Sequence, residues 1–260
     1  MIPFLGIFLV GFGVLSTFQV LRAKKRIHTM VTTETLSAQE LGQLHRAALE
    51  AVGAGAFRQL AEVAGVTRAA AAGPLTSQLS RTECVWFRTR ITRSYETRGN
   101  GPNQLRKKSE VVSDFLSPAP FHVEDATGRT AVLPGEHLID RAPKTHDRFE
   151  PYRPGDNPPL SGPNIPGITR NQRTLGFQQE EWAVAPGARF YARGEARDDE
   201  RGELAVSAPA DGSPFLMAAV SEQDLIAAEQ RKHAVFRVFA WACTPAGGAL
   251  LALSCALDLM

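Results

Sequence analysis

Cysteine is scarce: the 260-residue chain has only Cys84, Cys243 and Cys255. Three cysteines exclude a disulfide framework and a four-cysteine zinc site, and no C-x-x-C pair occurs. Net charge is nearly absent as well. Lys and Arg number 29 against 27 Asp and Glu, a formal charge of +2, so the chain as a whole is not a strongly basic nucleic-acid binder. Walker A, H-E-x-x-H and G-x-S-x-G motifs are missing, and there is no internal repeat. What is present is ordinary for a globular chain: 43% hydrophobic and 22% charged residues. That composition excludes wholesale disorder and a collagen-like chain. The length fits one large domain or two small ones.

Charge is unevenly placed. Ile2 to Leu21 carries none, and a helix of that length would span about 30 Å, the thickness of a hydrocarbon core. Arg22, Lys24, Lys25 and Arg26 follow it directly. A second uncharged stretch, Val238 to Leu257, is preceded by Arg231, Lys232 and Arg237. Both positive flanks face the middle of the chain. By the positive-inside rule these residues are topology determinants that hold the centre in the cytoplasm and both termini outside. The expectation is a multi-pass protein of the bacterial plasma membrane; the excess of Arg over Lys, 23 to 6, fits a GC-rich genome. Ala240, Thr244, Gly248, Ala252 and Ala256 recur every fourth residue, a helix-packing stripe of small side chains or Ala-rich filler.

The expected fold is α+β: a β-rich cytoplasmic domain, small barrel or sandwich-like, over 27–232, flanked by transmembrane helices at 2–21 and 238–257. An amphipathic helix is expected over 36–52. Ser37 and Glu40 form a capping box, Leu36 and Leu41 a hydrophobic staple, and Gly53 a stop. Leu41, Leu44, Ala48 and Val52 would be its apolar face. The period then falls to two, predicting strands near Phe57–Val66, Cys84–Thr92, Val111–Phe115 and Phe121–Glu124. Asp125 to Gly128 is a turn into Thr130–Leu133. Further strands are expected at Arg173–Gln179, Ala188–Ala196, Glu203–Ser207 and Phe215–Ala218. The Pro/Gly-rich stretch 141–167 reads as an exposed excursion that cannot pair in a central strand.

Glu62-Val-Ala-Gly-Val66, Cys84-Val-Trp-Phe-Arg88, Pro120 to Gly128, Glu180-Glu-Trp182, Pro186-Gly187 and Tyr191-Ala-Arg-Gly194 occur in a particular order and spacing, with the Ser221 helix after them. Together they resemble the GIDE, or beside-a-membrane, domain, which lies between two membrane helices in mitochondrial ubiquitin ligases and in prokaryotic proteins. The resemblance spans almost the whole chain. It implies ubiquitin-protein transferase activity by family descent. In those ligases, however, a RING finger follows the second span and recruits the conjugating enzyme through zinc-bound Cys and His. That ligand set has no counterpart before Met260.

Candidate chemistry is sparse. His122, His137 and His146 lie near Glu124, Asp125, Glu136, Asp140 and Asp147, but without the helical spacing of zinc ligands; a solvated surface is the favoured reading. Cys84, beside Val85 and Trp86 in a strand, reads as a buried small hydrophobe. No catalytic, metal or cofactor residue is assigned, and no cofactor is expected. A basic segment from Arg81 to Lys108, interleaved with Trp86, Phe87 and Tyr95, offers Arg88, Arg90, Arg106, Lys107 and Lys108 as an anionic-surface contact. Single-stranded nucleic acid is the less favoured ligand. A solvated strand face paired with the acidic stretches around Glu180 or Asp198 to Glu203 is the bland alternative and slightly the stronger one. The expected function is a non-catalytic scaffold or sensor whose partners are the lipid bilayer and a protein. The alternatives are a RING-type ubiquitin ligase and a ligand- or nucleic-acid-binding module.

Overall fold

The computed structural model describes residues 35–98, 105–153 and 172–220. In chain order these hold one helix, α1 (Ala38–Val52), and twelve strands. The strands are β1 (Arg58–Arg68), β2 (Leu75–Thr76), β3 (Glu83–Cys84), β4 (Trp86–Arg98), β5 (Leu105–Leu116), β6 (Phe121–Glu124), β7 (Arg129–Val132), β8 (Lys144–Pro151), β9 (Gln172–Val184), β10 (Arg189–Asp198), β11 (Leu204–Ser207) and β12 (Leu216–Ala218).

Five strands close into a barrel. β1 pairs antiparallel with β10 along one edge and with β6 along the other. β6 pairs with β7, β7 runs parallel to β11, and β11 returns antiparallel to β10. β12 extends the far part of β10. The period-two alternation decides which residues fill the interior. Ala61, Val63, Phe121, Val123, Val132, Phe190, Ala192, Ala196 and Val206 are all buried in one cluster. Phe121 and Phe190 meet edge to face, 5.2 Å between centroids, and burying each ring contributes roughly 2–3 kcal/mol.

The second sheet is four-stranded, antiparallel throughout, in the order β5-β4-β9-β8. A short β2–β3 pair sits before it. β8 lies within the Pro/Gly-rich stretch expected to be an unpaired excursion. It pairs because it is an edge strand and places Pro151 at its last position, where a missing N–H costs the sheet least.

Helix α1 begins as its capping box predicts. Ser37 Oγ accepts from the Glu40 N–H at 3.2 Å, and the Glu40 carboxylate accepts from the Ser37 N–H at 2.9 Å. Gly53, at φ 86°, ends the helix and donates to the Leu49 carbonyl. The remaining N-terminal donors are met from far along the chain. Ala38 N–H donates to Asp125 Oδ2 at 2.7 Å, and Gln39 N–H to Thr127 Oγ1 at 3.1 Å. The same Asp125 builds the β6–β7 turn by accepting from the Thr127 and Gly128 N–H groups. The buried face differs from the sequence reading: Leu41 and His45 are covered, while Leu44 is 43% and Val52 67% exposed. A polar partner beneath His45, Asp198, rotates the helix toward that side.

The α+β expectation with flanking membrane helices is corrected. The described residues form a mainly β domain with one amphipathic helix. No helix among them is long and apolar enough to cross a membrane. The segments 2–21 and 238–257 lie outside the described residues. So do Arg22, Lys24, Lys25, Arg26, Arg231, Lys232 and Arg237, the stripe from Ala240 to Ala256, and the Ser221 helix start.

Barrel closure depends on a close crossing at Gly65. A Cβ there would lie 2.2 Å from the Glu124 carbonyl oxygen, a backbone atom that cannot rotate away. Gly65→Ala should therefore destabilise the domain by about 3 kcal/mol, read as a lowered denaturant midpoint. An unchanged midpoint would show that β1 and β6 do not cross this tightly.

Candidate functional site

The four-stranded sheet has two chemically different faces, and cross-strand register assigns each residue to one of them. Phe87, Thr89, Ile91 and Arg93 of β4 share a face with Ala183, Glu181, Gln179 and Phe177 of β9. This face is closed. Glu181 is fully buried and accepts from the Leu79 and Ser80 N–H groups, at 2.7 and 3.1 Å, and from the Ser80 hydroxyl at 2.6 Å. Thr145 Oγ1 adds another contact at 3.2 Å. The carboxylate thus fastens the loop between β2 and β3 onto the sheet. Arg93, also fully buried, pairs with Glu110 at 2.7 Å and lies 4.7 Å over the Tyr95 ring.

The opposite face carries Trp86, Arg88 and Arg90 of β4 beside Val184, Trp182 and Glu180 of β9. Its charges form a ladder across all four strands. Asp114 of β5 accepts two hydrogen bonds from Arg88, each 2.7 Å, and two from Arg90, at 3.1 and 2.8 Å, all in the usual N–H···O range. Lys144 of β8 bonds Glu180 at 2.7 Å and Asp147 at 2.9 Å. Arg88 and Lys144 both lie over the Trp182 ring, at 5.3 and 5.2 Å, in cation–π range. Hydrogen bonds from Arg88, with burial opposing and Arg90 assisting, hold the Asp114 carboxyl below its usual value. Bonds to Glu180 and then Asp147 raise Lys144.

The five basic residues singled out in the sequence therefore separate into two groups. Arg88 and Arg90 are engaged by Asp114. Arg106, Lys107 and Lys108 are exposed at the far end of β5, opposite Thr97, Glu96 and Tyr95. No ion pair engages these three among the described residues. For the first group the paired strand face expected from the sequence is present, but its partner is Asp114, 24 and 26 residues away, and not the acidic residues the sequence pointed to.

Cys84 is buried against Phe87 and Ala183. It sits with Phe87 rather than with Trp86 because the strand breaks at Val85 and β3 turns aside to pair with β2. Burial, with Glu181 nearby, pushes its thiol up to about 11, so it is a protonated, poor nucleophile at neutral pH. The three histidines do not converge. His122 borders a cleft on the barrel, His137 packs edge-on against Phe215, and His146 pairs in register with Glu181. Among the described residues no cluster of three metal-ligating side chains forms.

That barrel cleft, about 610 Å³, is floored by a single cross-strand row. The row runs His122, Ala131, Ala205, Arg197, Arg58, consecutive register partners on the outer face. The two alanines leave the space, the arginines mark one end, and Asp199, Glu200 and Glu203 line the rim. Mixed charge of this kind is unlike the uniformly basic groove that tracks a nucleic-acid backbone. Asp198 at its border is buried. Burial raises its carboxyl, but the Gly55 and Phe57 N–H groups and then His45 outweigh this and lower it below the usual value.

The GIDE family model, described as E3 ubiquitin ligase, matches residues 91–252, more than half of the chain. The chain belongs to the GIDE family. No curated protein and no solved structure matches it. The GIDE match begins inside β4, just after Arg88 and Arg90, and takes in Asp114, Lys144 and Glu180 of the ladder, the exposed basic end of β5 and the whole of β5 to β12. Helix α1 and β1 precede it, although β1 is needed to close the barrel.

Glu181 and Asp198 are carboxylates held below their unfolded values. Such groups stabilise the fold fully above the unfolded carboxylate range, and that contribution is lost as pH falls through the depressed folded values. Glu181→Gln and Asp198→Asn should each lower the melting temperature at neutral pH. The deficit relative to wild type should shrink on acidification. A deficit that stays constant with pH would mean these carboxylates are not ionised in the fold.

Proposed function

We propose that this GIDE domain is a non-catalytic scaffold that approaches an anionic surface, the cytoplasmic face of a lipid bilayer, through the end of its β4–β5 hairpin. The supporting observation is the division of the basic residues: Arg106, Lys107 and Lys108 remain exposed and unpaired, whereas Arg88 and Arg90 are neutralised internally. Three unpaired cations on one strand end give a local positive field on a chain of almost zero net charge. Near a bilayer each would contribute roughly 1 kcal/mol, fading over a Debye length of about 8 Å at physiological salt.

The test compares the full chain with a variant in which Arg106, Lys107 and Lys108 are all Gln. On vesicles of phosphatidylcholine with phosphatidylserine, the variant should bind roughly a hundredfold more weakly at low salt. The difference should vanish on pure phosphatidylcholine and at high salt, and Arg88→Gln with Arg90→Gln should leave the affinity nearly unchanged. Equal binding of wild type and triple variant to anionic vesicles would refute the surface role. Tighter binding to single-stranded DNA than to vesicles would move the reading to nucleic acid.

The second reading is ubiquitin transfer, favoured by the family description. A thiol route is unsupported in the described domain, because Cys84 is buried and its thiol is raised. With activating and conjugating enzymes, ATP and ubiquitin, the purified chain should build no ubiquitin chains above background. Chain formation that depends on this protein would establish the ligase instead.

A further inference from the structure

Apart from the surface reading, a second cavity has the make-up of a small binding site. It measures about 260 Å³ and is lined by Trp86, Arg88, Leu138, Ile139, Asp140, Arg141, Ala142 and Trp182. It lies where the ladder face of the four-stranded sheet meets the segment between β7 and β8. The volume is slightly below the roughly 300–1,000 Å³ of drug-sized sites, which suits a small organic molecule or one side chain.

Three observations bear on what it takes. First, the walls combine apolar groups, two indoles with Leu138, Ile139 and Ala142, and polar surface in about equal measure. Second, Trp86 is 1% exposed, yet its indole Nε1 has no hydrogen-bond acceptor among the described residues. A buried donor left unpaired is costly, so an acceptor brought in by a ligand would gain more here than at an exposed site. Third, Arg141 holds φ at 58°. This left-handed conformation is uncommon for a residue other than Gly, Asn or Asp. Among the described residues its guanidinium has no ion-pair partner, whereas Arg88 beside it is engaged by Asp114. The loop is anchored through its backbone: Asp140 N–H donates to the Met217 carbonyl, and the Asp140 carbonyl accepts from Ala219 N–H, at 2.8 and 2.9 Å. Asp140 supplies the one negative side chain of the lining, against two arginines.

We propose that this cavity binds a small monocarboxylate with an apolar body, such as an aryl or branched aliphatic acid. One carboxylate oxygen accepts from Trp86 Nε1, Arg141 supplies the compensating charge, and the apolar body fills the space against Leu138 and Ile139. The carboxylate is preferred over a neutral carbonyl because Arg141 is available to pair with it, and charge-assisted hydrogen bonds are roughly twice as strong as neutral ones.

The probe is phenylacetate, with phenylacetamide as its neutral counterpart, added to the full-length protein. The chain has three tryptophans, so its nitrogen–proton spectrum has three indole signals, and Trp86→Phe assigns one of them. Phenylacetate should shift the Trp86 indole signal saturably, while phenylacetamide binds at least about tenfold more weakly. Arg141→Gln, an exposed position whose loss leaves the fold intact, should weaken phenylacetate binding about tenfold and leave phenylacetamide unaffected. A Trp86 signal unmoved by millimolar phenylacetate would overturn the site. Equal affinity for acid and amide, or an Arg141→Gln protein that binds the acid as well as wild type, would overturn the carboxylate assignment.

Discussion

The fold rests on how closely two pairs of strands approach one another. Gly65 on β1 and Gly194 on β10 both sit where a Cβ would meet a carbonyl oxygen, of Glu124 in one case and Ser207 in the other, at 2.2 and 2.5 Å. Neither glycine is needed for an unusual backbone angle; both are needed for distance. A barrel of only five strands has little interior, and its small core residues, Ala61, Ala192 and Ala196, are consistent with that narrowness. From this tight curvature follows the placement of everything outside it. The outward-facing row from His122 to Arg58 becomes a cleft, and Glu62 and Arg193 meet across β1 and β10 as a buried ion pair at 3.1 Å.

Carboxylates that accept backbone N–H groups hold other segments in place. Glu181 ties the β2–β3 loop to the sheet, Asp198 ties helix α1 to the start of β1, and Asp125 ties the β6–β7 turn to the helix. Each accepts backbone N–H groups, which satisfies donors that loops would otherwise leave unpaired. A residue used in this way is already saturated and is poorly placed to serve as an acid or base.

Much of the domain was readable from local pattern. The Ser37–Glu40 box and the Gly53 stop depend on residues three or four apart, and both are present. The strands from Phe121 to Val132, with the Asp125–Gly128 turn between them, follow from alternation and turn chemistry alone. The failures are non-local. The helix face shifted to His45 because of Asp198, 153 residues away. The strand at Lys144–Pro151 was hidden because proline content signals where a strand cannot be central, yet says nothing about an edge. Which cations of the basic segment are paired and which stay exposed depends on register with β5 and β9, which the sequence does not show. The family resemblance is independent of strand pairing, since it rests on the order of short segments.

The start of helix α1 is finished by a turn that lies 87 residues further on. At fifteen residues the helix is near the length at which an isolated helix is marginal in water. Its first two amides find their acceptors on Asp125 and Thr127, so they are paired only when the β6–β7 hairpin is in place. In most helices the opening of the first turn is a private, local event. Here it is shared: loss of the hairpin leaves the Ala38 and Gln39 amides unpaired, and fraying of the helix takes the Ala38 donor from Asp125 Oδ2, while Oδ1 keeps its bonds from Thr127 and Gly128. The two segments therefore form one cooperative unit, distant in sequence, whose local opening free energy belongs to neither alone.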